Sequence, residues 1–449
     1  MSSSAVGDDT AKVMDSMEAI SPRQRINAIL ASVLGWSLDL FDLFILLYVA
    51  PVIGQLFFPS THPTLSLAAV YASSAVALII RPLGSAIFGH YADTHGRKGA
   101  MTIALIGTGL STASFGLLPT IHQIGAIAPV IFLLLRLVQG LFIGGVVAST
   151  HTIGTESVPA RWRGTMSGFV GSGAALGALL AALVFFVVSN LFPGDSFMGW
   201  GWRFMFFSGI LSAVLGIFIF RNLDESPVFR QAQLAKAARR QTASAQASPV
   251  RTIFSPAYRG ILLRNLLITF GGGAAYYLTS GYMPSFLRLV NALPNDAASR
   301  ILIMASVAAF FASILFGFLS DIIGRKPTFL MIGLASIVLL PLFFLRMGAA
   351  TDVSTIASYA VAIAILGNAA YAPILIFLNE RFPTALRASG TGLSWNIGFA
   401  IGGLMPTFVS AFSGSVENIP ISLAIFVSFA ALVYLIGAIV NPETRGRFD

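Results

Sequence analysis

Apolar residues fall into twelve long stretches, with polar and charged residues gathered between them. The stretches cover 26–52, 66–90, 100–119, 127–151, 164–190, 202–221, 260–288, 301–320, 327–346, 355–379, 388–412 and 419–440. At about 1.5 Å of rise per residue, each is long enough to cross about 30 Å of hydrocarbon as a helix. The pattern predicts an all-α membrane protein with twelve transmembrane helices. Residues 1–25 are polar and hold four acids, so no cleavable signal peptide is expected before the first span.

The polar segments repeat at half-chain distance. Gly89, Asp93, Gly96, Arg97 and Lys98 recur as Gly317, Asp321, Gly324, Arg325 and Lys326, each 228 positions later. Glu156, Pro159, Arg163 and Gly168 recur as Glu380, Pro383, Arg387 and Gly392, each 224 positions later. Glu225-Ser226 and Glu443-Thr444 form a third pair. Such repeats predict two six-helix halves related by pseudo-symmetry. The expected organisation is a cytoplasmic tail (1–25), an N-terminal bundle (26–221), a cytoplasmic linker (222–259), a C-terminal bundle (260–440) and a cytoplasmic tail (441–449).

Composition agrees with the membrane reading. Hydrophobic residues make up 56% and charged residues only 10%, with Phe alone at 37; a soluble protein carries about a quarter charged residues. Cys is absent, which excludes disulfides and thiolate chemistry. The net charge of +9 would suit nucleic acid, but the basic residues are placed as a topology device. With the N-terminus inside, 21 of 27 Lys and Arg fall on the cytoplasmic side. Both termini are therefore expected in the cytoplasm, and no nucleic-acid partner is expected.

Four ionisable residues lie deep in apolar runs: Asp39 and Asp42 in the first, Arg81 in the second and Arg136 in the fourth. Buried charge in a span is costly and points to function; the competing reading is a fixed ion pair that orients helices. Asp42 lies about 13 Å and Arg136 about 10 Å below the same membrane face at helical rise, so the two can meet. Asp39 matches Arg81 in depth. Beside Arg a carboxylate stays ionised; when a substrate anion engages the Arg, the carboxylate can take a proton. The expectation is that Asp39 or Asp42 couples the proton and that Arg81 or Arg136 meets the substrate anion.

The loop G-x-x-x-D-x-x-G-R-K in both halves resembles the signature loop of the major facilitator superfamily of transporters. Trp36-Ser-Leu-Asp39-Leu-Phe-Asp42, Arg81-Pro-Leu-Gly84 with Phe88-Gly-His90, Arg136-Leu-Val-Gln-Gly140 with Gly144-Gly145, Gly201-Trp-Arg203, Glu225-Ser-Pro-Val-Phe229 and Ser394-Trp-Asn-Ile-Gly398 resemble the metabolite:proton and sialate/lactate:proton symporters. Val146 stands where many of those symporters place Glu, which throws weight onto the acids of helix 1. The resemblance implies a monomer in a cell membrane, a bacterial inner membrane by family. It implies import of a small organic acid by proton symport, with the proton as coupling ion and no cofactor. It also implies a gating role for Asp93, Arg97, Glu156, Arg163, Asp321, Arg325, Glu380 and Arg387. Asp93 and Asp321 can sit at helix N-termini, and the arginines can pair with Glu156 and Glu380.

In the second half, Gly271-Gly272-Gly273 permits bending or close approach. Tyr276, Tyr277 and Tyr282 follow it; each suits a small organic acid and equally suits packing. Asn368 and Tyr371, then Trp395 and Asn396, complete the candidate pocket. Asn and other polar residues in apolar runs also bond neighbouring helices. The His residues show no metal-ligand spacing, and no nucleophile–base pair or phosphate loop is visible, so neither an enzyme nor an ATP-driven pump is expected. The alternatives are a uniporter or exchanger of a related metabolite (betaine, amino acid or sugar acid), or a non-transporting membrane sensor.

Overall fold

The computed structural model describes residues 22–95, 97–156, 162–221, 252–383 and 386–446. The linker expected at 222–259 lies outside these residues up to position 251, as do most of the first tail and the last three residues. Among the described residues every regular element is helical.

In chain order the first helices are α1 (Pro22–Tyr48), α2 (Ala50–Phe57), α3 (Pro63–His95), α4 (Arg97–Phe115), α5 (Ile121–Ile124), α6 (Ile127–Glu156), α7 (Arg163–Leu191), α8 (Trp202–Phe207) and α9 (Gly209–Arg221). The remainder are α10 (Pro256–Tyr276), α11 (Met283–Leu289), α12 (Asn295–Ile323), α13 (Arg325–Ala349), α14 (Val353–Tyr371), α15 (Ile374–Asn379), α16 (Arg387–Gly403), α17 (Met405–Ser413) and α18 (Ile419–Val440). Nine described helical spans are long and apolar enough to cross a membrane, and ten if the bent pair α1–α2 counts as one. The predicted run 100–119 contributes a shorter apolar helix, Thr102–Phe115, and 202–221 breaks at Ser208.

Four runs expected to be unbroken are interrupted near a proline. α2, α11 and α17 each begin with Pro (Pro51, Pro284, Pro406) in the first two positions, and Pro373 precedes α15. Proline lacks the N–H for the helical ladder and clashes with the carbonyl four residues back. At α1–α2 the bend is 61°. Pro82 and Pro341 are tolerated inside α3 and α13.

The helices pair in a repeating scheme. α7 packs on α1, α3 on α6, and α4 on α9. In the same order α16 packs on α10, α12 on α14, and α13 on α18. The two sets meet where α7 lies along α12 and where α3 meets α16 and α17. Glycine makes the first junction possible. A side chain on Gly168 would stand 2.4 Å from the Ser313 carbonyl, and one on Gly317 would stand 2.7 Å from the Gly168 Cα. The other face of α7 packs equally closely on α1, where a side chain on Gly177 would stand 2.4 Å from the Ser37 carbonyl. The triple glycine of α10 also serves close approach: a side chain on Gly271 would meet Tyr434 Cβ at 2.6 Å.

Candidate functional site

Asp39 and Arg81 face each other across α1 and α3. The guanidinium Nη2 lies 3.3 Å from Asp39 Oδ1, and Nη1 donates to Oδ2 at 3.4 Å. Asp39 is almost wholly buried and Arg81 keeps 12% of its side chain exposed. The pair forms one wall of a small cavity between the two sets of helices. Trp36, Tyr276, Tyr277, Tyr371, Trp395 and Phe399 supply aromatic walls, and Asn396 lines it as well. Trp395 and Phe399 are stacked, with ring centroids 3.8 Å apart, and Trp36 meets Trp395 edge-on at 5.8 Å. Trp36 Nε1 donates to Tyr371 Oη at 2.7 Å, joining α1 to α14 across the midline.

A second cavity lies beyond the ring of Tyr276, which lines both. Asn368, Ser280, Ser306 and Tyr48 contribute to it among five alanines. Each cavity measures about 20 Å³, room for about one water.

Asp42 and Arg136 occupy a separate buried cluster and line neither cavity. Their matching depth leaves room for an ion pair. Instead Arg136 Nη1 donates to Gln139 Oε1 at 2.6 Å, and Gln139 Nε2 donates to Thr112 Oγ1 at 2.8 Å. The guanidinium stacks over Phe115 and Phe132, with centroid distances of 4.7 and 5.6 Å. Thr112 and Arg136 both act on Asp42 electrostatically, yet its Oδ1 has no hydrogen-bond partner. Tyr282 also lies away from the cavities. Its ring stacks on Tyr71 at 5.1 Å and its hydroxyl bonds Ser410 at 2.8 Å. Tyr71 donates to Ser285 at 2.9 Å, tying α3 to α11 at the end of the bundle far from the charged loops.

At the charged end a network forms around Arg325. Its Nη1 donates to Asp321 Oδ1 at 2.8 Å, and its Nη2 donates to Glu380 Oε1 at 3.0 Å. Asp321 in turn accepts from the first amides of α7, Gly164 N at 2.8 Å and Thr165 N at 2.6 Å. A carboxylate at a helix N-terminus satisfies orphan donors and meets the positive end of the dipole. Glu443 does the same for α13, accepting from Arg325 N at 3.0 Å and Lys326 N at 2.9 Å. Burial alone would raise the Glu443 carboxyl, but backbone donors from Arg445, Arg325, Lys326 and Thr444 hold it below its ordinary value. Glu380 goes the other way: burial raises it in spite of its bonds to Arg325 and Thr444. Arg387 Nε donates to the Asn379 carbonyl at 3.1 Å, and Arg163 starts α7. The side chains of Asp93, Arg97 and Glu156 lie outside the described ones.

Sequence reasoning missed several participants. Trp36 stands three residues before Asp39 and Phe399 four after Trp395, so helical spacing puts each on its neighbour's face. Gln139 likewise follows Arg136 by three. Glu443 was visible only as a member of a repeated pair. Tyr71 and Ser285 carried no signal, because lone hydroxyls in apolar runs are common.

A sequence profile described as Major Facilitator Superfamily matches residues 28–406. The glycine betaine/proline/ectoine/pipecolic acid transporter OusA of Dickeya dadantii (strain 3937) is 29% identical over 437 residues, 97% of this chain and 86% of that protein. The inner membrane metabolite transport protein YhjE of Escherichia coli (strain K12) is 28% identical over 444 residues, 97% of this chain and 98% of that one. The proline/betaine transporter of the same strain is 29% identical over 94% of this chain and 84% of its own length. In fold, the chain is similar to the proton:xylose symporter XylE bound to 6-bromo-6-deoxy-D-glucose. The TM-score is 0.71 at 18% identity, covering 96% of this chain and 98% of that one.

Proposed function

This chain belongs to the major facilitator superfamily, and we propose that it imports a small carboxylate-bearing zwitterion by proton symport through alternating access. It is a multi-pass inner-membrane protein. In this reading twelve spans form two six-helix bundles, 26–221 and 260–440, joined by the linker 222–259. Both termini are cytoplasmic, as the placement of Lys and Arg favours.

The observation that supports the substrate class is the Asp39–Arg81 pair at the wall of an aromatic cavity. A solute carboxylate competes with Asp39 for the Arg81 guanidinium, and aromatic faces attract an ammonium group. A dicarboxylate is less well served, because Arg136 is held by Gln139 outside the cavity. Relatives whose names include betaine and proline support the same narrowing of the organic-acid expectation.

Coupling follows from charge balance. When the solute carboxylate takes Arg81, Asp39 loses its counter-ion and binds a proton from the outer solution. Solute and proton then cross together as the bundles rock, and both leave to the cytoplasm, which lets Asp39 recapture Arg81. Asp42, with one unpartnered oxygen, is the second candidate carrier.

The test is uptake of radiolabelled zwitterions and organic acids into proteoliposomes, with and without an inward proton gradient. Accumulation of a zwitterion that collapses with a protonophore supports the reading. Retained gradient-driven accumulation in Asp39→Asn/Asp42→Asn sinks the coupling assignment; equilibration without accumulation points to uniport.

A further inference from the structure

We infer that the second cavity is a specificity subsite that receives an N–H or O–H donor of the transported solute, with Asn368 as its acceptor. The inference rests on the zwitterion reading above and adds which solutes that pocket selects.

Asn368 is 1% exposed on α14 and lines the cavity. Its amide nitrogen donates to the Ala364 carbonyl at 2.9 Å and to Ser280 Oγ at 3.1 Å. A carbonyl only accepts, so Ala364 fixes which end of the amide carries the N–H groups. The remaining atom, Asn368 Oδ1, is buried and has no donor. Tyr276, 2% exposed, lines the same cavity, and its hydroxyl is also without a partner. Leaving a buried polar atom unpaired costs its desolvation without return. Two residues that line this cavity therefore each carry an unpaired buried atom, and one of these, the amide oxygen, is satisfied only by a donor.

The walls explain why a ligand group fits here. Ala175 and Ala178 come from α7, Ala305 and Ala309 from α12, and Ala364 from α14. Small side chains from both sets of helices meet there, so separation of the two sets enlarges this cavity. In this structure it holds about 20 Å³, room for about one water. The Tyr276 ring is the partition from the Asp39–Arg81 cavity. A rotation of that ring joins the two into one pocket, with the carboxylate end at Arg81 and a donor group at Asn368.

Full-length protein is tested with two matched pairs of solutes. One is an imino-acid zwitterion and its N,N-dimethyl derivative; the other is a hydroxylated zwitterion and its deoxy counterpart. Competition for uptake in proteoliposomes is read beside tryptophan fluorescence, since Trp36 and Trp395 border the adjoining cavity. Wild type is expected to prefer a donor-bearing member by about tenfold or more, because a site built to hydrogen-bond rejects analogues that cannot. In Asn368→Leu that ratio falls to near one as the donor-bearing solute is lost. Tyr276→Phe, which removes only an oxygen, narrows it partly and guards against misfolding of the first variant. No preference in wild type for either pair, or an unchanged ratio in both variants, overturns the subsite and leaves the cavity as a water pocket. If wild type binds and carries none of the four, the zwitterion reading falls and the subsite with it. Transport without discrimination overturns the subsite alone.

Discussion

At Arg81 a guanidinium with 12% exposure is balanced by a carboxylate that is almost wholly buried. Removing one member strands a charge in a low-dielectric site, at a cost of about 3–5 kcal/mol, while removing both is far cheaper. Arg81→Leu is therefore expected to lower the thermal midpoint of the detergent-solubilised protein sharply. Asp39→Asn/Arg81→Gln should recover most of that stability without recovering uptake; recovery of uptake would mean the pair is purely structural. Glu443 gives a second residue-scale expectation. Its folded pKa lies below the ordinary value of 4.5 because backbone donors outweigh burial. A depressed carboxyl contributes stability that is complete above the unfolded value and is lost as pH falls through the folded one. Thermal midpoints should decline below about pH 4.5 in wild type and decline less steeply in Glu443→Gln. Parallel curves would remove the assignment. The acids and Arg81 were legible in the sequence because charge inside an apolar run has few explanations. Of the aromatic walls, Tyr276, Tyr277, Tyr371 and Trp395 were legible as candidates because each carries a polar edge, whereas Phe399 and Trp36 were not, since an aromatic residue in a span is usually packing.

Between helices the decisive feature is how closely α7 and α12 approach. Gly168 and Gly317 let backbone meet backbone at the end of the bundle that carries Asp321 and Arg325. Gly168→Leu has no space there and should force that end apart. The chain has no cysteine, so Ser313→Cys, on the buried face of α12, reports opening without background. Maleimide labelling of that cysteine should rise about tenfold when Gly168→Leu is added, as a shift of about 1.4 kcal/mol in the closing equilibrium requires. Unchanged labelling would show that the contact does not hold the end closed. The spans 419–440 and 127–151 were legible from hydropathy nearly to the residue at their starts. The breaks at Pro51, Pro284, Pro373 and Pro406 were not separated from the tolerated Pro82 and Pro341, because neighbouring helices decide whether a broken ladder is compensated.

For the molecule as a whole, described contacts tie the two sets of helices together at both ends. Asp321 and Arg325 hold the charged end against α7, and Tyr71 joins Ser285 at the other. Each cavity between them is reduced to the volume of about one water. In an alternating-access cycle each closure must be weak enough to break in turn. Tyr71→Phe deletes one buried hydrogen bond, worth about 1 kcal/mol net. It should shift the population about fivefold toward forms open at that end. Accessibility of Met283→Cys, buried on α11 beside the second cavity, compared with and without Tyr71→Phe, reads the shift directly; equal accessibility would mean the Tyr71–Tyr282 stack alone holds that contact.

The sequence by itself determined the helical class, the membrane setting, the repeated loops and the buried charges. Each of these is a local or periodic property: apolar runs of fixed length, motifs at fixed offset, and ionisable residues where water is absent. Tertiary structure decided which charges meet. Depth arguments paired Asp39 with Arg81 and allowed Asp42 with Arg136, yet Gln139, three residues along the same helix, takes the second arginine. It also decided that Tyr282 belongs to a closure and Tyr276 to the partition between two cavities, although both lie in one run. Rotation of a helix about its own axis is set by packing against several neighbours, and one-dimensional spacing does not contain it.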